Sequence, residues 1–184
     1  VYDRSGRELN KVTRPSVHWA QVSDQGALAL PDLDHFEMHL AVPSRPHTTQ
    51  TIRYLDQAAR EEAESALTPS GHRLAVGTTA LGVAGAEDTP WRLRADIDKP
   101  RAGPSGWVLL FDDTGTERWR RRLPGTGEVN RVAVSDDGNC VAAIATARPI
   151  PGPGGDYPFF LLGPGGEITH SDWGRAAAMN GCVF

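Results

Sequence analysis

Cysteine, aromatic residues and long apolar runs are all scarce in this chain of 184 residues. Two cysteines, Cys140 and Cys182, are too few for a disulfide-stabilised scaffold. Both lie in apolar, strand-like runs, where buried free thiols are expected. The longest apolar stretch, 140–147, is too short to span a bilayer, and no signal-peptide pattern opens the sequence. These absences predict a protein without membrane contact, in a reducing, cytoplasmic compartment.

Positive charge is not in excess either. Lys and Arg total 19 against 23 Asp and Glu, which gives a net charge of −4 and an isoelectric point near 5.8. A general nucleic-acid binder is usually basic, so the composition argues against a nucleic-acid partner. The proportions of hydrophobic and charged residues, 39% and 23%, are typical of a folded globular protein that buries its own core.

What the chain does contain is a pattern that occurs three times: a β-rich run, Ser or Thr, two polar or turn residues, Gly, and a second apolar run. The copies centre on Gly26, Gly71 and Gly138. The first two glycines are 45 positions apart, which is the length of a propeller blade. A second hairpin pattern alternates with the first, at 1–9, 110–119 and 161–168. Two hairpins per repeat predict four strands per blade, with glycine supplying the positive φ of each turn.

The predicted fold class is therefore all-β, a β-propeller or partial propeller of four-stranded antiparallel blades over residues 1–184. Its predicted parts are the second hairpin of one blade (1–15), three fuller blades (16–60, 61–126 and 127–175) and the first strand of a further blade (176–184). In one arrangement the last strand pairs with the first hairpin and closes a ring of four blades, which removes exposed edges. In the other, these segments belong to a longer propeller.

Three stretches depart from the strand pattern. Within 54–66, the helix-favouring run Gln57–Ala63 predicts one short helical turn. The insertions 79–106 and 147–156 lack hydrophobic periodicity and are rich in glycine and proline, so we predict loops.

The first insertion is the strongest candidate for a recognition surface. Loops beyond about 12–15 residues are usually functional or disordered. This one contains Trp91, Arg92 and Arg94, and Trp and Arg are enriched at interface hot spots. We predict these three residues as partner-binding; an insertion without a binding role is the alternative.

The densest basic run, Glu-Arg-Trp-Arg-Arg-Arg, lies in the second hairpin of the middle blade. Strand alternation puts Arg118, Arg120 and Arg122 on one face. Trp119 and Arg121 lie on the other face. The three arginines predict a contact with an acidic partner, because a local patch can steer binding whatever the net charge. Alternatively, they protect an exposed strand against edge-to-edge pairing.

No motif specifies chemistry. His35 and His39 flank Glu37, but this is not the order of a zinc-protease helix, and a metal needs three or four converging ligands. Ser105 lacks the strand-turn-helix context of a hydrolase nucleophile. The stretch Asp136–Asn139 has no calcium-binding loop around it, and its residues favour tight turns. We predict no catalytic residue, no cofactor and no metal.

Two stretches resemble a known group of proteins. Val132–Gly138, Val-Ala-Val-Ser-Asp-Asp-Gly, resembles the first turn of bacterial WD-repeat-like and quinoprotein-like propellers, and Leu110–Trp119 resembles their outer hairpin. The Trp-Asp and Gly-His pairs of true WD repeats are missing, as is the vicinal cysteine pair of some quinone-cofactor enzymes. The resemblance implies a scaffold or recognition surface and carries over no catalytic residue.

The sequence therefore predicts a non-enzymatic protein-interaction platform or regulatory module that binds protein partners as part of a larger protein or complex. Two alternatives stay open: a propeller enzyme whose site is dispersed around the central channel, and a purely structural segment of a multidomain protein.

Overall fold

The computed structural model describes residues 5–8, 20–32, 37–45, 48–53, 59–80, 105–147 and 157–173. The strands in these ranges form three four-stranded antiparallel sheets. Blade 1 consists of β1 (Gln21–Val22), β2 (Leu28–Asp32), β3 (Glu37–Ala41) and β4 (Thr49–Arg53). Blade 2 consists of β5 (Ala59–Leu67), β6 (Arg73–Ala80), β7 (Ser105–Asp112) and β8 (Glu117–Arg122). Blade 3 consists of β9 (Thr126–Val134), β10 (Val141–Ala147), β11 (Phe159–Leu162) and β12 (Ile168–Asp172).

Each blade is an up-and-down meander, because its neighbouring strands are consecutive in the chain. The first strands, β1, β5 and β9, lie toward the centre, where β9 contacts β5 and β5 contacts β1. The last strands, β4, β8 and β12, lie at the outside and pair on one side only. The predicted fold class is confirmed: the described residues form blades of an all-β propeller or partial propeller.

The turn glycines predicted from the repeats have the backbone conformation that the pattern requires. Six of them have φ values between +72° and +83°, a region that L side chains rarely adopt. They are Gly6, Gly26, Gly71, Gly115, Gly138 and Gly166. In blade 2, the amide of Gly71 donates to the carbonyl oxygen of Thr68 at 2.8 Å and closes the turn.

The core consists of two layers, one on each side of blade 2. Strand alternation on β6 turns Leu74 and Val76 toward blade 1 and Ala75 toward blade 3. All three side chains are fully buried. Burial on both faces explains why the central strands of blade 2 have continuous apolar runs instead of an alternating pattern.

The predicted helical turn within 54–66 is wrong where the structure describes the chain. Residues 59–67 form β5, whose pairing with β6 runs from Ala59 opposite Ala80 to Leu67 opposite Leu74. Residues 54–58 lie outside the described part. Ala, Glu and Arg favour helix intrinsically, but the preference is weak, and pairing with β6 outweighs it. A register shift between Ala59 and Ala63 adjusts the strand to the sheet.

No helix in the described ranges has the length and apolar character needed to cross a membrane.

Candidate partner-binding surface

Strand β8 is the basic outer edge of blade 2. It pairs with β7 and carries four arginines among its six residues. Arg120 lies opposite Leu109 and Arg122 opposite Trp107, two residues that pack toward blade 1, so both arginines share that face. Arg118 occupies a register shift, because Trp119 is opposite Leu110 while Glu117 is opposite Phe111. The alternation expected for a flat strand therefore holds at Arg120 and Arg122, whereas Arg118 lies at a bulge.

Neighbouring groups orient the guanidinium groups of β8 without covering them. Arg120 forms a two-point contact with Glu117, Nη2 to Oε2 at 2.6 Å and Nε to Oε1 at 2.8 Å. Arg118 lies 3.8 Å from the carboxylate of Asp112. Arg118 and Arg120 still keep 55% and 46% of their surface exposed. Exposed ion pairs of this kind contribute little to stability.

Arg121 points to the opposite face of β8, toward blade 3. Its Nε donates to the carbonyl oxygen of Gly166 at 2.6 Å. Trp119 shares this face and is buried against the same turn. The two residues fix β8 to the blade that follows, and Arg121 remains exposed there.

The turn before β8 is built around the carboxylate of Asp112. Its Oδ1 accepts hydrogen bonds from the Thr114 hydroxyl at 2.5 Å and from the amides of Thr114 and Thr116, both at 3.0 Å. Partial burial raises the pKa of Asp112, but these hydrogen bonds and the charge of Arg118 outweigh it, and the pKa lies below its ordinary value of 3.8. The ionised carboxylate thus holds the loop that orients Arg118.

Replacing Asp112 with alanine is expected to cost about 1–2 kcal/mol at neutral pH, because the turn loses its hydrogen-bond acceptor. A lowered pKa in the folded state means that ionised Asp112 stabilises the fold above its ordinary pKa. This stabilisation is lost as the pH falls through the lowered value. Urea unfolding at neutral pH should therefore give Asp112→Ala a lower free energy of unfolding than the unmodified chain. At acidic pH this difference should disappear. Asp136→Ala, at an exposed turn aspartate of blade 3, is the control, and an equal loss in both variants at every pH contradicts the assignment.

An exposed tryptophan lies beside the turn that follows β8. Trp173 directly follows β12 and keeps 45% of its surface exposed. Its ring meets Phe160 edge-on, with centroids 6.0 Å apart and an interplanar angle of 80°. A Cβ added at Gly125, between β8 and β9, would lie 2.8 Å from this indole. Trp173 is thus held in place while one side faces solvent, which is typical of an interface anchor.

Sequence reasoning did not select Trp173 as a contact residue. The available signal was a large aromatic residue directly after the polar strand Ile-Thr-His-Ser-Asp. Its exposure depends on packing against Gly125 and Phe160, which are distant in the sequence.

The other predicted positions fall into two groups. Trp91, Arg92 and Arg94 lie outside the described residues, as do His35 and Cys182. Their roles stay predictions. The structure does describe the two strand ends that the first insertion connects, since Ala80 and Ser105 are opposite each other on β6 and β7.

His39 lies inside blade 1. It is 2% exposed, its Nδ1 is 3.2 Å from the Thr51 hydroxyl, and its Nε2 is 3.6 Å from the Asp32 carboxylate. Across the described ranges, no group of three His, Cys, Asp or Glu side chains comes together as a metal site would require.

The aspartate-rich turn of blade 3 uses its carboxylate locally. Asp137 accepts hydrogen bonds from the Ser135 hydroxyl at 2.6 Å and from the Asn139 amide at 3.0 Å, which lower its pKa. Cys140, which follows the turn, is a half-buried free thiol. Burial, and then the charge of Asp137, raise the pKa of that thiol.

Comparison with known proteins places the chain among distant structural neighbours. No protein-family model and no curated protein matches it. It is similar to the Dos1 propeller at 10% identity and a TM-score of 0.48, over 92% of this chain and 51% of that one. It is also similar to the Pyrococcus horikoshii acylaminoacyl peptidase at 9% identity and a TM-score of 0.46, over 85% of this chain and 24% of the peptidase. The values are the same for an acylaminoacyl peptidase in complex with Z-Gly-Gly-Phe-chloromethyl ketone. The chain spans about half of the Dos1 propeller chain and about a quarter of each peptidase chain.

Proposed function

We propose that this chain is a non-enzymatic protein-interaction platform that binds an acidic segment of a partner protein at β8. The observation that carries the proposal is a comparison of the three outer strands. β4, Thr-Gln-Thr-Ile-Arg, has one arginine and β12, Ile-Thr-His-Ser-Asp, has none. β8 occupies the same place in its blade with four. Arg121 holds β8 against blade 3, but the architecture forms without the other three, so we assign Arg118, Arg120 and Arg122 to recognition.

The chemistry of β8 fits carboxylates. A guanidinium group binds a carboxylate through two parallel hydrogen bonds, as Arg120 already does with Glu117. A run of positive charge also speeds the approach of an acidic partner, even on a protein of net charge −4. Trp173, beside the turn that follows β8, is proposed as an additional apolar contact of the kind found at hot spots.

The wider setting belongs to the same proposal. The resemblance to bacterial WD-repeat-like and quinoprotein-like propellers supports a recognition role within a larger cytoplasmic protein or complex. The insertion with Trp91, Arg92 and Arg94 is proposed as a second contact, because it joins two strands of the same blade.

Arg120→Glu should weaken binding of a fluorescent poly-glutamate peptide about tenfold or more, because one favourable contact becomes a repulsive one. The measurement is fluorescence anisotropy at low and moderate salt, and affinity for the unmodified chain should fall as salt rises. Arg131→Glu is the matched control. Arg131 is 49% exposed and forms a 2.6 Å ion pair with Glu64, much as Arg120 does with Glu117, but it lies on the inner strand β9.

The control separates a local site from net charge. If Arg131→Glu weakens binding as much as Arg120→Glu, or if the unmodified chain does not bind the peptide, the proposal is wrong. In the same assay, an Asn-Gly turn can replace 81–104, because it would join the paired residues Ala80 and Ser105. Weaker binding is expected from that variant, and unchanged binding would confine recognition to β8.

A further inference from the structure

Three polar residues from neighbouring strands of blade 1 lie side by side. His39 on β3 is directly opposite Thr51 on β4, and Asp32 is the last residue of β2, on the other side of β3. The neighbours of His39 in the strand, Met38 and Leu40, pack toward blade 2. Strand alternation therefore turns His39 to the opposite face of the sheet. A carboxylate, an imidazole and a hydroxyl follow one another across three strands of this face.

The contacts of His39 assign a role to each ring nitrogen. Its Nε2 is 3.6 Å from the Asp32 carboxylate, which favours a proton on that nitrogen. Nδ1 then accepts a hydrogen bond from the Thr51 hydroxyl at 3.2 Å. His39 is buried, whereas Thr51 is exposed. An exposed hydroxyl beside a histidine that a carboxylate orients is the arrangement that activates oxygen nucleophiles.

A positive charge follows on the same face of β4. Arg53 is two residues after Thr51 and keeps 68% of its side chain exposed, with Nη2 3.0 Å from the Glu37 carboxylate. When a hydroxyl attacks an acyl group, negative charge develops on the carbonyl oxygen of that group. A guanidinium nearby stabilises such charge. The nucleophile, the base, the orienting carboxylate and a cation thus lie on one face of blade 1.

We infer that Thr51 is an acylation site, whose hydroxyl takes the acyl group of an activated ester. The Thr51 oxygen bonds to the acyl carbon, and the bond from that carbon to the leaving oxygen breaks. The proton passes from Thr51 to Nδ1 of His39 and then to the leaving group, while Asp32 stabilises the charged ring. The result is a single ester on the chain, a modification that goes beyond the proposed function and does not rest on β8.

The chain contains its own control on the same strand. Thr49 is two residues before Thr51, on the same face of β4, and is exposed as well. It lies opposite Ala41, which has no group that could take up a proton. The two threonines therefore differ in the side chain beside the hydroxyl, and exposure alone would make them react alike.

The test is acetylation of the full chain by p-nitrophenyl acetate at neutral pH, located by mass spectrometry of its peptides. Thr51 should be acetylated about a hundredfold faster than Thr49, the usual contribution of a general base. In urea the preference should vanish, because only the folded chain brings His39 to Thr51. Asp32→Asn should slow acetylation of Thr51 about tenfold or more and leave Thr49 unchanged, because the ring loses the carboxylate that orients it.

The outcomes separate activation from simple exposure. Preferred acetylation of Thr51 that is lost in urea and reduced in Asp32→Asn supports the inference. Equal rates at Thr51 and Thr49, no acetyl group on Thr51, a preference that survives in urea, or a preference unchanged in Asp32→Asn overturns it. Circular dichroism shows whether Asp32→Asn is folded, and the comparison of the two threonines in the unmodified chain decides the inference without any variant.

Discussion

Replacing Gly71 with alanine is expected to destabilise the fold by about 3–4 kcal/mol. One part of the loss is the backbone: φ is +73°, and an L side chain in this region costs about 1–2 kcal/mol. The other part is the interface with blade 1, where the new Cβ would overlap the Cβ of Ala27 and lie 3.1 Å from the Ser23 hydroxyl. Overpacking of this kind costs about 1–3 kcal/mol, because Ala27 has no flexible end that could move. Urea unfolding monitored by circular dichroism measures the sum.

Gly6→Ala separates the two contributions. Gly6 has a φ of +81°, but no described atom lies within 4 Å of its Cβ position, so only the backbone cost remains. We expect Gly6→Ala to lower the free energy of unfolding by about 1–2 kcal/mol. If Gly71→Ala and Gly6→Ala lower the free energy of unfolding by the same amount, the inferred close contact between blades 1 and 2 at Gly71 is wrong. Gly77→Ala isolates the packing contribution instead. Gly77 has no positive φ, but a Cβ there would lie 2.7 Å from a methyl group of Val132 and closer still to Val129.

The turns could be predicted from the sequence because their signal is local. A positive φ favours glycine, and a two-hairpin repeat places one at each turn, as Gly26 and Gly115 show. β5 shows the limit of such local reasoning. Its first residues have helix-favouring side chains, and only the neighbouring strand β6, more than ten positions away, makes them a strand.

The candidate surface was predictable to a similar extent. Alternation placed Arg120 and Arg122 on one face because a regular strand has a period of two. The bulge at Arg118 and the exposed ring of Trp173 both arise from tertiary packing, which a single sequence does not encode in any short window. Trp91, Arg92 and Arg94 remain predictions, since they lie outside the described residues.

Phe160→Ala is expected to lower the free energy of unfolding by about 3–5 kcal/mol, the usual cost of removing a buried phenyl ring. Phe160 is 1% exposed and packs in the cluster between blades 2 and 3, and its ring contacts that of Trp173 in a T-shaped arrangement. Because one side chain serves both the core and the anchor, unfolding and recognition should change together. Urea unfolding gives the stability, and binding of the poly-glutamate peptide by the folded variant reports on Trp173.

Phe159→Ala is the matched control for this prediction. Phe159 is the adjacent residue of β11, so the same ring is removed from the opposite face of the same strand, where it is half-buried. We expect a loss of about 1 kcal/mol there, because less apolar surface returns to water. If both variants lower the free energy of unfolding equally, the face of β11 toward blade 2 is not more closely packed than its opposite face. If Phe160→Leu keeps the stability within about 1.5 kcal/mol and still weakens peptide binding, the ring contributes to recognition through the position of Trp173. If binding is unchanged, the Phe160 ring does not contribute to recognition through Trp173.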